Sequence, residues 1–164
     1  MMLLRHLVSI LLLPFVMVVI VPRWITGRSA PFSNMSAPLA AQIGGGILFA
    51  AGFALFALCV TLFAIKGKGT LAPWDPTKRL VATGPYRYMR NPMITGVATM
   101  LAGQALFHWS RPLAWWFLIF LTFNHIYFMV IEEPGLERRF EADYQQYRSH
   151  VPRWIPRLTA WSKP

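Results

Sequence analysis

Residues 39–65 read LAAQIGGGILFAAGFALFALCVTLFAI, 27 positions without one acidic or basic side chain. A hydrocarbon layer of about 30 Å needs roughly 20 helical residues at about 1.5 Å each, so this run is long enough to cross a bilayer. Uncharged runs also occupy residues 7–21, 93–109 and 113–131. Across all 164 residues only 13 % are charged and 55 % are hydrophobic, whereas a soluble domain carries about 25 % charged residues. A soluble globule, a disordered chain and a disulfide scaffold are all excluded. The pattern predicts an all-α integral membrane protein forming one domain, residues 1–164. It has four transmembrane helices, or five if the long second run breaks at Gly44-Gly45-Gly46. Residues 1–65 form a two-span region, and 66–164 carry the other spans, a cytoplasmic loop and an amphipathic C-terminal helix.

The net charge of +10 is distributed unevenly. With four spans, thirteen of the sixteen Lys and Arg residues fall on the side shared by the N-terminus, the middle loop and the tail. Only Arg23, Arg28 and Arg111 fall on the other. This positive-inside bias predicts a multi-pass protein with both termini in the cytoplasm. Contact with the bilayer and its anionic lipids accounts for the excess of charge, and no nucleic-acid partner is expected. The first run is followed by Pro22-Arg23-Trp24 rather than by small residues, so it is expected to be a retained span, kinked near Pro14, and not a cleaved signal. Cys59 stands alone and the four histidines are scattered, so neither an internal disulfide nor a metal site is expected. No phosphate-binding glycine motif is present.

Small residues mark the expected helix contacts: Gly46, Ala50 and Ala54 on the second run, with Gly96, Thr99 and Gly103 on the third. Ser110-Arg111-Pro112 should turn the third and fourth runs into a hairpin. Prolines 73, 76, 85 and 92 forbid a long helix over residues 66–92, which must be an ordered loop. Pro134 suits the first turn of a further helix. There Leu136, Phe140, Tyr144 and Tyr147 share one face, and a proline-rich strap at residues 151–157 follows.

Chemistry-bearing residues gather at the end of the fourth run. Counting back from Glu132 in α-helical steps reaches Phe128, His125 and Asn124. A polar Asn-His pair inside a span should face the bundle rather than lipid. Two adjacent carboxylates, Glu132 and Glu133, at a helix C-terminus oppose the macrodipole. Nearby cations would relieve that cost, whether they belong to a solvated cap or to a bound ligand.

The stretches GPYRYMRNPMITG at 84–96 and EEPGLERRFEADYQQYRSHVP at 132–152 resemble the isoprenylcysteine carboxyl methyltransferase family. That family merges with the bacterial phospholipid methyltransferases, and the similarity extends from about residue 69 to residue 157. The resemblance implies a membrane-embedded enzyme using S-adenosylmethionine, with residues 66–164 as the catalytic core and the loop and tail helix forming the cofactor site. Its R-[HN]-P-x-Y motif falls on Arg90, Asn91, Pro92, Met93 and Ile94. Its cofactor tyrosine falls on Tyr86, its backbone contacts on Lys78, Arg79, Leu80 and Val81, and its cofactor glutamate on Glu132, with Glu133 beside it. Asn124 and Phe128 would face the substrate, and His125 is the one nearby group able to serve as a base.

Three positions depart from the family. Ile94 replaces a tyrosine, Glu141 stands where F-G-x-x-Y has glycine, and Phe128 occupies the place of the arginine that binds a prenylcysteine carboxylate. The expected acceptor is therefore a membrane lipid or small apolar molecule, held against Trp115, Trp116, Phe120 and Phe123. Two other readings stay open: a non-catalytic membrane protein binding lipid or a partner, and a relative of the membrane reductases. Bound cofactor separates the three.

Overall fold

The computed structural model describes residues 14–28, 37–66, 80 and 82–162. The start of the first apolar run and most of the loop at 66–92, including Lys78, Arg79 and Val81, lie outside these residues. The described residues are helical with no strand. A π-helical turn at Val16–Ile20 leads into α1 (Val21–Arg28). Then come α2 (Leu39–Lys66), a 3-10 turn (Gly84–Arg87), α3 (Pro92–Phe107), α4 (Arg111–Tyr127), a second π turn (Phe128–Glu132) and α5 (Glu133–His150). Two helical stretches are long and apolar enough to cross a membrane, Leu39–Leu62 and the rod from Arg111 to His150. Only 22 % and 11 % of their apolar windows are buried. Their side chains therefore face outward, unlike those of a soluble core. In the rod the apolar stretch ends at Ile131, and α5 is polar. The 16 residues of α3 are apolar but reach only about 24 Å.

Helix α2 runs unbroken through Gly44-Gly45-Gly46, so the expected fifth helix does not arise there. It packs closely against α3 through glycines. A Cβ on Gly52 would lie 2.6 Å from the Gly96 carbonyl oxygen, and one on Gly103 would lie 2.7 Å from that of Gly45. The α3 side of this contact is the expected one. On α2 the contact is Gly45 and Gly52, not Gly46, Ala50 and Ala54; Gly46 meets nothing within 4 Å. Composition cannot phase a helix that is apolar on all sides, and bulky Phe49 and Phe56 beside the glycines complete the packing face. Around it lies the main core, including Val18, Val97, Met100, Leu101 and Phe120.

The sequence suggests a new helix at Pro134, but α4 and α5 form one continuous rod. Proline lacks an N–H and crowds the preceding turn, which normally breaks a helix. Here the wider π turn precedes it: the Glu133 N–H bonds the Phe128 carbonyl, five residues back. The rod bends later, at Glu141, whose φ of 43° is left-handed. The expected apolar face of α5 is the packed one: Tyr144 and Tyr147 are buried with Val151 and Trp161, and Leu136 and Phe140 pack beside them.

After Val151 the chain doubles back over the loop before α3. Arg90 N donates to Pro152 O, Arg157 N to Tyr88 O, and Trp161 N to Arg87 O, at 2.9–3.0 Å. Arg87 Nε returns a bond to Trp161 O at 2.6 Å, and the Tyr147 hydroxyl donates to Tyr86 O at 2.6 Å. Loop, α5 and strap are thus one unit at the end of the bundle where α3 begins and α4 ends.

Candidate functional site

Glu133 is 4 % exposed and fully engaged. Arg153 donates to it twice, Nε to Oε1 at 2.7 Å and Nη2 to Oε2 at 2.9 Å. Arg90 Nη1 donates to Oε1 at 2.8 Å, and Arg148 Nε stands 3.9 Å from Oε2. One carboxylate thus ties α5 to both the loop before α3 and the strap. Burial resists its ionisation, but the Arg153 hydrogen bond and the charges of Arg90, Arg153 and Arg148 outweigh it and hold the carboxyl below the ordinary 4.5.

Glu132 is different. Among the described residues it accepts no hydrogen bond, and its charge is felt by Tyr86 and Tyr127. Burial, and then the charge on Glu133, push its carboxyl up to about 7. The π turn causes the split. Regular α-helical counting puts Glu132 on the face of His125 and Phe128, but the five-residue closure advances the phase by one position. Glu133 lands on that face instead, under the strap, and Glu132 follows Tyr127 and Asn124.

Other sequence-predicted residues separate into engaged and unengaged groups. Tyr86 is buried in the 3-10 turn and shares a hydrogen bond with the Cys59 thiol. Four buried side-chain polar atoms among the described residues have no partner: Gln104 Oε1 in α3, and Arg90 Nε, Asn91 Nδ2 and Thr83 Oγ1, which are close to Tyr86 in the chain. Pro92 is fully buried at the start of α3, Met93 and Ile94 pack on the main core, and Leu80 packs on the tail cluster. Asn124 Nδ2 donates to Phe120 O of its own helix. Phe128 is buried edge-on against Trp154, with centroids 5.7 Å apart. The expected aromatic wall is not a wall: Trp115 and Phe123 point outward, Phe120 lies in the core, and Trp116 donates to Met17 O.

A cavity of about 600 Å³ does exist, on another face. It runs from Leu48 and Phe117 in mid-bundle, past Thr95, Thr99 and Thr122, to His125 and Trp154. The Trp154 indole Nε1–H donates to His125 Nδ1 at 3.0 Å. Indole nitrogen only donates, so Nδ1 carries no proton and Nε2 carries it. In this arrangement His125 is a donor, with no ring lone pair free to act as base. Trp154, which sequence reasoning passed over, is brought there by its neighbour Arg153. No group of three or more His, Cys, Asp or Glu side chains suited to a metal occurs among the described residues.

The described residues thus form outward-facing apolar helices with a polar clasp at one end. The phospholipid methyltransferase family model matches residues 40–143, and the chain belongs to that family. No curated protein and no solved structure matches the chain. The family makes it a methyltransferase of the phospholipid or isoprenylcysteine type, and family and apolar helices together point to the membrane.

S-adenosylmethionine, which this family generally uses, suits the groups left unpartnered. A carboxylate such as that of Glu132, without a hydrogen bond among the described residues, can take an ammonium or ribose hydroxyls, and the donors Arg90 Nε and Asn91 Nδ2 can hold a carboxylate. A buried donor without a partner costs about 1–3 kcal/mol, which a ligand would recover.

Proposed function

We propose that this protein is a four-span membrane methyltransferase, both termini cytoplasmic, that methylates a lipidic or small membrane-soluble acceptor from S-adenosylmethionine. The observation that carries this reading is a Glu132 carboxylate that accepts no hydrogen bond among the described residues, beside a fully paired Glu133. Glu132 would hold the cofactor's ammonium or ribose hydroxyls, and Arg90 Nε with Asn91 Nδ2 its carboxylate. Tyr86, Pro92 and the backbone of residues 78–81 would complete the site. When bound, this cofactor supplies a methyl group on a sulfonium, whose departure needs no acid. The chain then has only to align the acceptor and exclude water, and a membrane-depth cavity does both.

Phe128 supports an acceptor other than a prenylcysteine carboxylate. It offers no positive charge, and its ring is covered by Trp154. Detergent-purified protein incubated with methyl-labelled S-adenosylmethionine tests this. Label should enter a total membrane lipid extract and not a prenylated cysteine analogue. Efficient labelling of the analogue would overturn the acceptor assignment.

A further inference from the structure

We infer that the strap at residues 151–158 is inserted into the bilayer surface, with Ile155 and Leu158 among the acyl chains of the leaflet beside the Glu133 clasp. The partner is the lipid hydrocarbon itself, and the inference stands whether or not the chain is a methyltransferase. Leu158 is 100 % exposed and Ile155 79 %, more than any other large hydrophobic side chain among the described residues. Neither is a loose end. Arg153 grips Glu133 on one side of Ile155. On the other, Arg157 N donates to Tyr88 O and Nη1 to His150 O, both at 3.0 Å. The strap is thus pinned with these two side chains turned out, and in water they would leave two large apolar surfaces uncovered.

Depth favours lipid as the cover. The apolar stretch of the rod ends at Ile131. Trp154 packs edge-on against Phe128, three residues before that end, and its Nε1–H reaches His125 Nδ1, six residues before it. At about 1.5 Å per residue the indole lies roughly 5–9 Å below the end of the apolar stretch. Interfacial segments bury their apolar side chains to about that depth. At the same end of the rod Ile126, Met129, Val130 and Ile131 are each more than half exposed, so the lipid-facing surface extends to the strap's level. The backbone fits as well, because irregular chain at an apolar layer must not leave N–H groups unsatisfied. Pro152 and Pro156 have none, and those of Val151 and Arg157 donate to Tyr147 O and Tyr88 O, so half the strap has no N–H left to satisfy. Charge agrees too. Residues 144–164 hold Arg148, Arg153, Arg157 and Lys163 and no acidic side chain, the basic and apolar mixture that suits an anionic lipid surface.

The test places the full chain, with Cys59→Ser, in nanodiscs of phosphatidylcholine and phosphatidylglycerol. Ile155→Cys, Leu158→Cys, Val130→Cys and Ala142→Cys each carry a nitroxide, and its collisions with oxygen and with a water-soluble nickel chelate are measured. Val130 is the lipid-facing reference, and Ala142, exposed among the polar residues of α5, is the aqueous one. Nitroxides at 155 and 158 should match the one at 130, with nickel collisions several-fold rarer than at 142. Frequent nickel collisions at either position would place the strap in water and overturn the inference. Shielding from both reagents would mean a cover of protein instead of lipid, and would overturn it equally. The wild-type chain provides a second measurement that no misfolded variant can spoil. In nanodiscs containing a diazirine-acyl phosphatidylcholine, photolabel should appear on the tryptic peptides 154–157 and 158–163 and not on 140–148. Absence of label from either strap peptide, or equal label on 140–148, would overturn the inference.

Discussion

Arg153 grips the Glu133 carboxylate through two hydrogen bonds, at 2.7 Å and 2.9 Å. Glu132, one residue earlier, accepts none among the described residues. Two identical side chains thus have different surroundings, one binding the chain to itself and the other without a hydrogen bond among the described residues. Bidentate guanidinium–carboxylate geometry gives the first its strength. The π turn gives the second its freedom, because it carries Glu132 off the face that the strap covers.

Glu133→Ala should therefore act on stability. It strands Arg90 and Arg153 in a buried site, a loss of about 3–5 kcal/mol, or roughly 6–20 °C in melting temperature for a chain of this size. Thermal melts in detergent check it, with Glu132→Ala expected not to lower the melting temperature, because burial opposes the charge it removes. The pH dependence has a definite sign. The folded-state pKa of Glu133 is lowered, so its contribution is complete above the ordinary 4.5 and fades as pH falls through the lowered value. Glu132, raised to about 7, should itself add stability as pH falls from neutral towards 4.5, so the test uses Glu132→Gln. Melting of that variant should hold from neutral pH to about 5 and decline below that; a decline already complete by about pH 6 would remove Glu133 as its cause.

The close approach of α2 and α3 makes a positional prediction. Gly52→Leu places a side chain where even a Cβ meets the Gly96 carbonyl at 2.6 Å, so it should force the helices apart and lower the yield of folded protein. Gly46→Leu points into open space and should be tolerated. Size-exclusion profiles of the two variants decide it, and similar profiles would contradict the crossing.

Much of this arrangement was legible in the sequence, and the misses have physical causes. The apolar runs and the tail-helix face ending in Tyr144 and Tyr147 follow from periodicity and residue type, and the loop and tail motifs from the family resemblance. The phase of Glu132 did not, because helical counting assumes a constant number of residues per turn and the π turn breaks it. The phase of α2 did not either, since lipid accepts any apolar face and only the glycine–backbone contacts choose one. Trp154 was hidden for another reason. The pentapeptide VPRWI stands at residues 21–25 and again at 151–155. The first copy lies in α1 and the second in the extended strap. Its partners, not its letters, make the second one part of the cavity.

Glu141 holds a left-handed φ of 43° inside α5. A side chain in such a sparsely populated conformation costs about 1–3 kcal/mol, which glycine avoids. Glu141→Gly should raise the melting temperature and leave cofactor binding unchanged. A lowered melting temperature would show that the bend is not strained.

Orientation is testable in intact cells. A single cysteine at Ser33, with Cys59 replaced by serine, should react with a membrane-impermeant maleimide, and one at Lys68 should not. The expectation follows from the charge asymmetry, since Arg23, Arg28 and Arg111 alone face the other side. Reaction at 68 and not at 33 would invert the topology.

The central claim, that Glu132 is the cofactor's carboxylate, is tested most directly by calorimetric titration of the detergent-purified protein with S-adenosylhomocysteine. The wild type should bind, and Glu132→Ala should bind about 10- to 150-fold more weakly, the worth of one charge-assisted hydrogen bond. Binding by Glu132→Ala as tight as by the wild type would contradict the assignment, and no binding by the wild type would contradict the account as a whole.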